Sequence, residues 1–156
     1  MIDTSILFEP LAIGNITMKN RLAMAPMTRQ RSYLDGTPTD LNVEHYRQRA
    51  SAGLIITEGI APSEMGTGYL FSPGLYTDSH QEGWRKISEA VHAEGGHLFG
   101  QIMHVGRLSD ELLLNGKQPI APSAVQPDPT ARHYTVSCPR PKRSYLPPRA
   151  LTHQEV

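Results

Sequence analysis

Three short apolar segments alternate with two segments of helical periodicity, and this alternation constrains the fold more than any other feature. The apolar segments are residues 21–27, 54–59 and 97–105. Strands that alternate with helices of roughly a dozen residues are typical of right-handed βαβ crossovers and a parallel sheet. The sequence therefore predicts the α/β fold class.

Two helices are predicted between the strands. The first has Thr39 or Asp40 as its cap, apolar residues at helical spacing, and Gly53 as its stop. The second is capped within residues 78–80 and stopped by the glycine pair at 95–96. Because each helix has one apolar face, we expect both to pack on the sheet.

The segments outside this alternation predict a hairpin and a long loop. Residues 11–18 contain two short apolar runs around a Gly-Asn pair, which favours a hairpin. Residues 107–149 are rich in proline and lack periodicity, so we expect a loop excursion with a hairpin near residues 134–136.

The last residues have the spacing of a helix start. Thr152 and Glu155 fit a capping box, yet the sequence stops directly after it. Three parallel strands also leave two open edges whose backbone groups need partners. We therefore expect residues 1–156 to form a single partial domain.

Composition argues against several classes of protein. The 15 Lys and Arg residues balance 15 Asp and Glu residues, so there is no surplus of positive charge to favour binding of nucleic acid. The longest apolar runs, as at residues 53–56, are far shorter than the roughly 20 residues of a membrane span. A single cysteine, Cys138, cannot form an internal disulfide, so we expect a reducing, cytoplasmic compartment.

Candidate ligand-binding residues follow the predicted strands, because parallel α/β folds bind ligands at the carboxyl ends of their strands. Thr28 offers a hydroxyl, and Gly59 has no Cβ to keep a flat ring from the backbone. Gln101 carries a donor and an acceptor, which suits a heteroaromatic edge, and Met103 shares its strand face. The structural alternatives are a turn hydroxyl, a turn glycine, a satisfied core amide and an apolar filler.

The sequence does not predict a metal site, a dinucleotide-binding motif or a cysteine nucleophile. The histidines within residues 92–104 lack the pairing of known zinc motifs, so no metal site is expected. Gly66 and Gly68 begin like a dinucleotide fingerprint, but Phe71 stands where its third glycine belongs. Cys138 has no basic neighbourhood that would make it a nucleophile.

A series of longer motifs runs through the chain in a fixed order. They are Leu-Phe-Glu-Pro at 7–10, Asn-Arg-Leu-Ala-Met-Ala-Pro-Met-Thr-Arg at 20–29, Tyr-Arg-Gln-Arg-Ala at 46–50, Gly-Leu-Ile-Ile-Thr-Glu-Gly at 53–59, Pro-Gly-Leu at 73–75 and Gln-Ile-Met-His-Val-Gly-Arg at 101–107. Together they resemble the old yellow enzymes, the FMN-dependent ene-reductases. The resemblance extends over nearly the whole chain.

The resemblance implies a (β/α)8 TIM barrel that binds FMN at the carboxyl-terminal mouth. NADPH or NADH is then the reductant and an activated alkene the substrate, and this chain supplies the N-terminal hairpin and about three βα units. By family position, the backbone of Pro26 and Met27 lines the isoalloxazine. Thr28 bonds its O4/N5 edge and tunes its reduction potential. Gly59 lies close to the ring, and Gln101 binds its pyrimidine edge.

The resemblance also assigns a substrate pocket. Tyr69 matches the family's aromatic wall of the substrate space, and Met103 stands where many relatives carry tryptophan, which implies a differently shaped pocket. The family's substrate-binding histidine pair, its tyrosine proton donor and its phosphate site fall beyond Val156. No catalytic residue is therefore expected within this chain.

Two functional hypotheses follow. In the first, the chain is the N-terminal part of an ene-reductase and functions when the missing C-terminal barrel half is present. In the second, it is a non-catalytic, truncated half-barrel that self-associates through its strand edges without a cofactor. A short flavin reductase that uses this half alone is a weaker alternative, because the sequence supplies no phosphate anchor.

Overall fold

A three-stranded parallel sheet with helices packed on one face forms the centre of the chain. The computed structural model describes residues 3–128, 130, 132–134 and 142–155. In chain order its first elements are β1 (Leu11–Ile13), β2 (Ile16–Met18), β3 (Ala23–Met24), α1 (Asp40–Arg47), β4 (Leu54–Ile60), α2 (Asp78–Ala93) and β5 (Leu98–Ile102). The parallel sheet has the order β3-β4-β5. The predicted strand–helix alternation is confirmed.

The predicted N-terminal hairpin is also confirmed. Strands β1 and β2 are antiparallel, and Gly14 turns between them with a φ of +57°. The imidazole Nε2 of His97, just before β5, lies 3.1 Å from the carbonyl oxygen of Thr17. The hairpin is thereby tied to the amino end of the sheet, which leaves the carboxyl ends of the strands accessible.

Strand β3 is shorter and more exposed than predicted. Residues 21–27 are an apolar run without polar alternation, which predicts a strand buried on both faces, whereas the ladder includes only Ala23–Met24. Ala23 is exposed and Met24 half-buried. Because β3 pairs with β4 on one side and has no second neighbour among the described residues, it forms an edge, and Pro26 has no N–H to extend the ladder.

Helix α1 begins as predicted but ends earlier. The side-chain oxygen of Asn42 accepts the backbone N–H of Thr39 at 2.9 Å, which closes the first turn. The helix ends at Arg47, so the prediction that Gly53 stops it is wrong. Gly53 instead allows close approach to Asn20: a Cβ at Gly53 would lie 2.0 Å from the Asn20 backbone oxygen.

Helix α2 is longer than α1, and the sequence predicted its end but not its cap. The cap is Thr77, whose hydroxyl accepts the backbone N–H of His80 at 3.2 Å, so the predicted cap within residues 78–80 is wrong. The predicted glycine stop is confirmed, because Gly95 has a φ of +69° and donates to the His92 carbonyl at 2.9 Å.

The core lies between the sheet and the two helices. Its buried members come from β4, α2 and the α1 region: Tyr46, Ala50, Ile55, Ile60, Trp84, Ile87 and Val91. Full burial of one such aliphatic side chain contributes about 1.5–3 kcal/mol. The predicted apolar faces of both helices therefore pack as expected.

The proline-rich excursion contains short paired strands. These are β6 (Ile120–Ala121), β7 (Arg132–Tyr134), β8 (Lys142–Ser144) and β9 (Arg149–Ala150). Strand β6 pairs in parallel with β9, and β7 pairs antiparallel with β8. The predicted hairpin is confirmed at Tyr134, while its predicted positions 135–136 lie outside the described residues.

The predicted capping box near the end of the sequence forms on its Glu155 side only, because the Glu155 N–H donates to the Thr152 backbone carbonyl and not to the Thr152 hydroxyl. The backbone N–H of Thr152 donates to the Glu155 carboxylate at 2.8 Å, and a 3-10 turn follows over His153–Glu155. In the described part of the chain, no helix combines the length and apolar character needed to cross a membrane.

Candidate functional site

A β-bulge in β4 aligns the carboxyl ends of β4 and β5. The ladder pairs Ile56 with Phe99 and resumes with Gly59 opposite Gln101, so β4 contains one extra residue. The hydroxyl of Thr57, inside the bulge, accepts the backbone N–H of Gln101 at 3.0 Å. Two of the predicted ligand-binding residues are therefore direct neighbours.

The Met103 side chain occupies the space that a side chain at Gly59 would need. A Cβ at Gly59 would lie 2.5 Å from Cε and 3.0 Å from Sδ of Met103, and Gly59 itself is buried. With Gln101 beside Gly59, these three residues form one cluster. A flat ligand that approaches Gly59 consequently meets the Met103 thioether as well.

The polar groups at the strand ends have unused hydrogen-bonding capacity. Gln101 is half-buried, and its side-chain amide makes no hydrogen bond within the described residues. Thr28 is exposed, and its hydroxyl likewise makes no hydrogen bond within the described residues. Pro26 is half-buried and Met27 exposed in the segment that leaves β3. The arrangement offers a hydroxyl and an amide to a ligand beside an apolar backbone segment.

Glu58 was not assigned a role by the sequence analysis, yet it links the predicted residues. Its carboxylate is buried and accepts the backbone N–H of Arg29 at 2.8 Å. The Asn42 amide and the Tyr46 hydroxyl each lie 3.3 Å from its other oxygen. Burial raises the pKa of Glu58. A carboxylate in an otherwise apolar strand was the signal that could have found it.

Tyr69 lies apart from this cluster. It lines a cavity of about 740 Å³ together with residues such as Leu34, Tyr76 and Leu112, and no other predicted site residue lines that cavity. The excursion approaches Tyr69 through Tyr145, whose pKa is raised by burial and further by Tyr69. The substrate role of Tyr69 stays a prediction.

The remaining sequence candidates have packing roles or lie outside the described residues. A Cβ at Gly66 would lie 3.2 Å from the His104 ring, and one at Gly68 would lie 2.5 Å from the Val105 side chain. Both glycines thus permit close packing of two loops. Across residues 3–128 and the other described positions, no three metal-ligating side chains are grouped. Cys138 lies outside the described residues.

The model of the NADH:flavin oxidoreductase / NADH oxidase family matches residues 6–156. The chain belongs to this family. The resemblance to old yellow enzymes is thereby confirmed, and the non-catalytic alternative is not favoured.

Individual relatives show how much of a family member the chain represents. Flavin oxidoreductase hxnT of Emericella nidulans is 41% identical over 155 residues, which are 96% of this chain and 38% of the relative. A probable flavin mononucleotide-dependent alkene reductase of Leishmania infantum is 40% identical over 121 residues, 77% of this chain and 33% of the relative.

The structural comparison agrees. The solved structure of the old yellow enzyme homologue from Zymomonas mobilis superposes with a TM-score of 0.88 at 42% identity, covering 96% of this chain and 40% of that chain. The predicted TIM-barrel fold is confirmed, and this chain corresponds to its N-terminal part. The chain spans well under half the length of these relatives.

Proposed function

We propose that the protein to which this chain contributes is an FMN-dependent oxidoreductase that takes hydride from NADH or NADPH and reduces activated alkenes. The observation that carries the proposal is the pairing of Gly59 with Gln101 at the strand ends, close to the segment that bears Thr28. The family description supports flavin and NADH, and the name of the Leishmania infantum relative supports FMN and an alkene.

The residues at the strand ends fit the isoalloxazine of FMN. The unengaged amide of Gln101 offers both a donor and an acceptor to the alternating carbonyl and N–H groups of the pyrimidine edge. Because Gly59 has no Cβ, the Met103 thioether packs directly against it, and the two residues together border the site of the ring. The backbone at Pro26 and Met27 provides the apolar border of the same site.

The Thr28 hydroxyl acts electrostatically in this proposal. FMN, when bound, supplies the hydride chemistry, and the protein supplies binding, orientation and charge stabilisation. A hydroxyl that donates to the O4/N5 edge favours the additional negative charge of the reduced ring. Thr28 therefore raises the reduction potential of the bound flavin.

The acceptor pocket and the missing chemistry complete the proposal. By family position, Met103 in the ligand cluster and Tyr69 in its separate cavity are assigned to the space for the activated alkene, and Met103 makes its shape differ from that of tryptophan-bearing relatives. The histidine pair, the tyrosine proton donor and the phosphate site come from the C-terminal part of the barrel. A cytoplasmic compartment fits the single cysteine.

Flavin binding is the direct test. We expect a hybrid of this chain and the remaining barrel of the Zymomonas mobilis relative to show a stoichiometric oxidised-flavin absorbance band and to oxidise NADPH with an enone. Gln101→Ala should weaken FMN binding about tenfold, since a lost hydrogen bond costs roughly 1–1.5 kcal/mol. Gln81→Ala, on the exposed surface of α2, is the matched control. A hybrid that folds, binds no FMN and oxidises no NADPH contradicts the proposal.

A further inference from the structure

Glu58 is a carboxylate buried without a cation. Its side chain is 1% exposed, and within the described residues no Lys, Arg or His side chain bonds to it. Its side-chain partners are neutral donors from α1, Asn42 and Tyr46, and its remaining partners are the backbone N–H groups of Arg29 and Gln30. A buried carboxylate is costly unless its oxygens are hydrogen-bonded, so these donors are what allows Glu58 to stay buried.

The bulge in β4 aims this carboxylate away from the ligand cluster. Thr57 and Glu58 together stand opposite a single residue of β5, and the hydroxyl of Thr57 donates to the Glu58 carbonyl at 2.9 Å. The backbone N–H of Glu58 donates to the Tyr46 hydroxyl at 2.9 Å, which locks the same residue to α1. One irregularity thus directs Glu58 toward α1 and aligns Gly59 with Gln101.

The segment held by Glu58 has an unfavourable backbone conformation. Gln30 has a φ of +54° although it is not glycine, and its backbone N–H also hydrogen-bonds the Glu58 carboxylate. The Arg31 guanidinium donates to the carbonyl oxygens of Arg29 at 3.1 Å and Gln30 at 2.9 Å. A residue in this region persists only where its surroundings hold it there.

We propose that Glu58 is a positioning residue, the buried anchor that fixes residues 28–30 and thereby sets the place of the Thr28 hydroxyl in the segment that leaves β3. Thr28 directly precedes Arg29, whose N–H the carboxylate holds at 2.8 Å. The anchor itself follows from this structure, whereas its consequence for flavin rests on the proposed function. Glu58 acts through Thr28 and does not touch the ligand cluster itself.

Amide hydrogen exchange, measured by NMR on the 156-residue chain, tests the anchor without flavin. Glu58→Gln keeps the shape but replaces one acceptor oxygen by an NH2 group that faces the donors. We expect the Arg29 and Gln30 amides to exchange at least about tenfold faster, while amides of β5 and α2 keep their rates. Ile87→Val, a core change remote from the segment, is the control and should show no selective effect at residues 29–30.

If the Arg29 and Gln30 amides of the Glu58→Gln variant exchange at the wild-type rates, the anchor proposal is overturned. Should that variant fail to fold, Tyr46→Phe removes one donor to the carboxylate and the acceptor of the Glu58 N–H. Selective acceleration at residues 29–30 in Tyr46→Phe then supports the anchor, and unchanged rates there overturn it.

A double-mutant cycle on the FMN-bound protein tests the link to Thr28. We expect Glu58→Gln and Thr28→Ala each to lower the flavin reduction potential and to weaken FMN binding. The double variant should show effects no larger than those of the more severe single variant. Additive effects would show that Glu58 does not act through Thr28. A wild-type protein that binds no FMN contradicts the proposed function, and the exchange experiment then decides the anchor by itself.

Discussion

Two glycines near helix ends are required for different physical reasons. At Gly53 a Cβ would lie 2.0 Å from the Asn20 backbone oxygen, and the Gly53 N–H is held by the Asn20 side chain at 2.7 Å, so the two segments cannot easily separate. At Gly95 a Cβ would meet nothing within 4 Å, but the φ of +69° disfavours any side chain. The first requirement is steric and the second conformational.

The two substitutions should therefore differ in cost. Gly53→Ala is expected to lower the free energy of unfolding by about 3 kcal/mol or more, because backbone must move. Gly95→Ala should lower it by about 1 kcal/mol, the cost of a left-handed conformation. Urea denaturation followed by fluorescence of the buried Trp84 measures both. Equal losses would show that the chain relaxes around Gly53.

Glu58 should leave a signature in the pH dependence of stability. Burial raises its pKa above the ordinary value of 4.5, so the folded state retains the proton to higher pH than the unfolded state. Its contribution therefore favours folding at low pH and is lost as pH rises from about 4.5 through the folded pKa. The free energy of unfolding of the wild type minus that of Glu58→Gln should decrease over this window. A difference that rises with pH would mean that the hydrogen bonds outweigh burial.

At the scale of elements, local signals predicted structure well and distant contacts did not. The stop of α2 was predictable because Gly95 acts on its own helix. The role of Gly53 and the short β3 were not predictable, because Gly53 packs against the distant Asn20 and β3 has no second neighbouring strand within the described residues. Propensity and periodicity carry no information about such partners.

The candidate site divides in the same way. That Gly59 and Gln101 are neighbours follows from the parallel sheet, since carboxyl ends of adjacent strands share one edge. The bulge at Thr57 and the orientation of Glu58 toward α1 were missed, because a shift of one residue in register depends on packing between strand and helix. Tyr69 lies on a long loop, whose course the sequence pattern does not specify.

The cap of α2 gives a prediction at this scale. Thr77→Ala removes the hydroxyl that accepts the His80 N–H and should cost about 1 kcal/mol of stability. Ser88→Ala deletes the hydroxyl of a half-buried residue within the same helix that only bonds back to the Arg85 carbonyl, so it should change stability little. Thermal unfolding by circular dichroism compares the two. A Ser88→Ala loss as large as that of Thr77→Ala would argue against the cap.

At the scale of the whole molecule, β5 exposes apolar side chains on both of its faces. Ile102 pairs with Ile60 on the face that carries the helices and is 56% exposed, whereas Phe99 pairs with Ile56 on the other face and is 47% exposed. In a closed barrel, later strands and helices cover such positions. These side chains therefore mark where the remaining part of the barrel packs.

A pair of surface variants tests this packing. Ile102→Lys and Leu41→Lys both replace an exposed apolar side chain, so each should change the stability of the chain alone by no more than about 0.5 kcal/mol. When the chain is mixed with the separately produced C-terminal part of the Zymomonas mobilis relative, Ile102→Lys should weaken association at least about tenfold. Burial of an isoleucine is worth roughly 1.5–3 kcal/mol, and a lysine there must lose its hydration. Leu41→Lys, on the outer side of α1, should associate like the wild type in analytical ultracentrifugation. Equal association of both variants would mean that the later barrel elements do not cover β5 at Ile102.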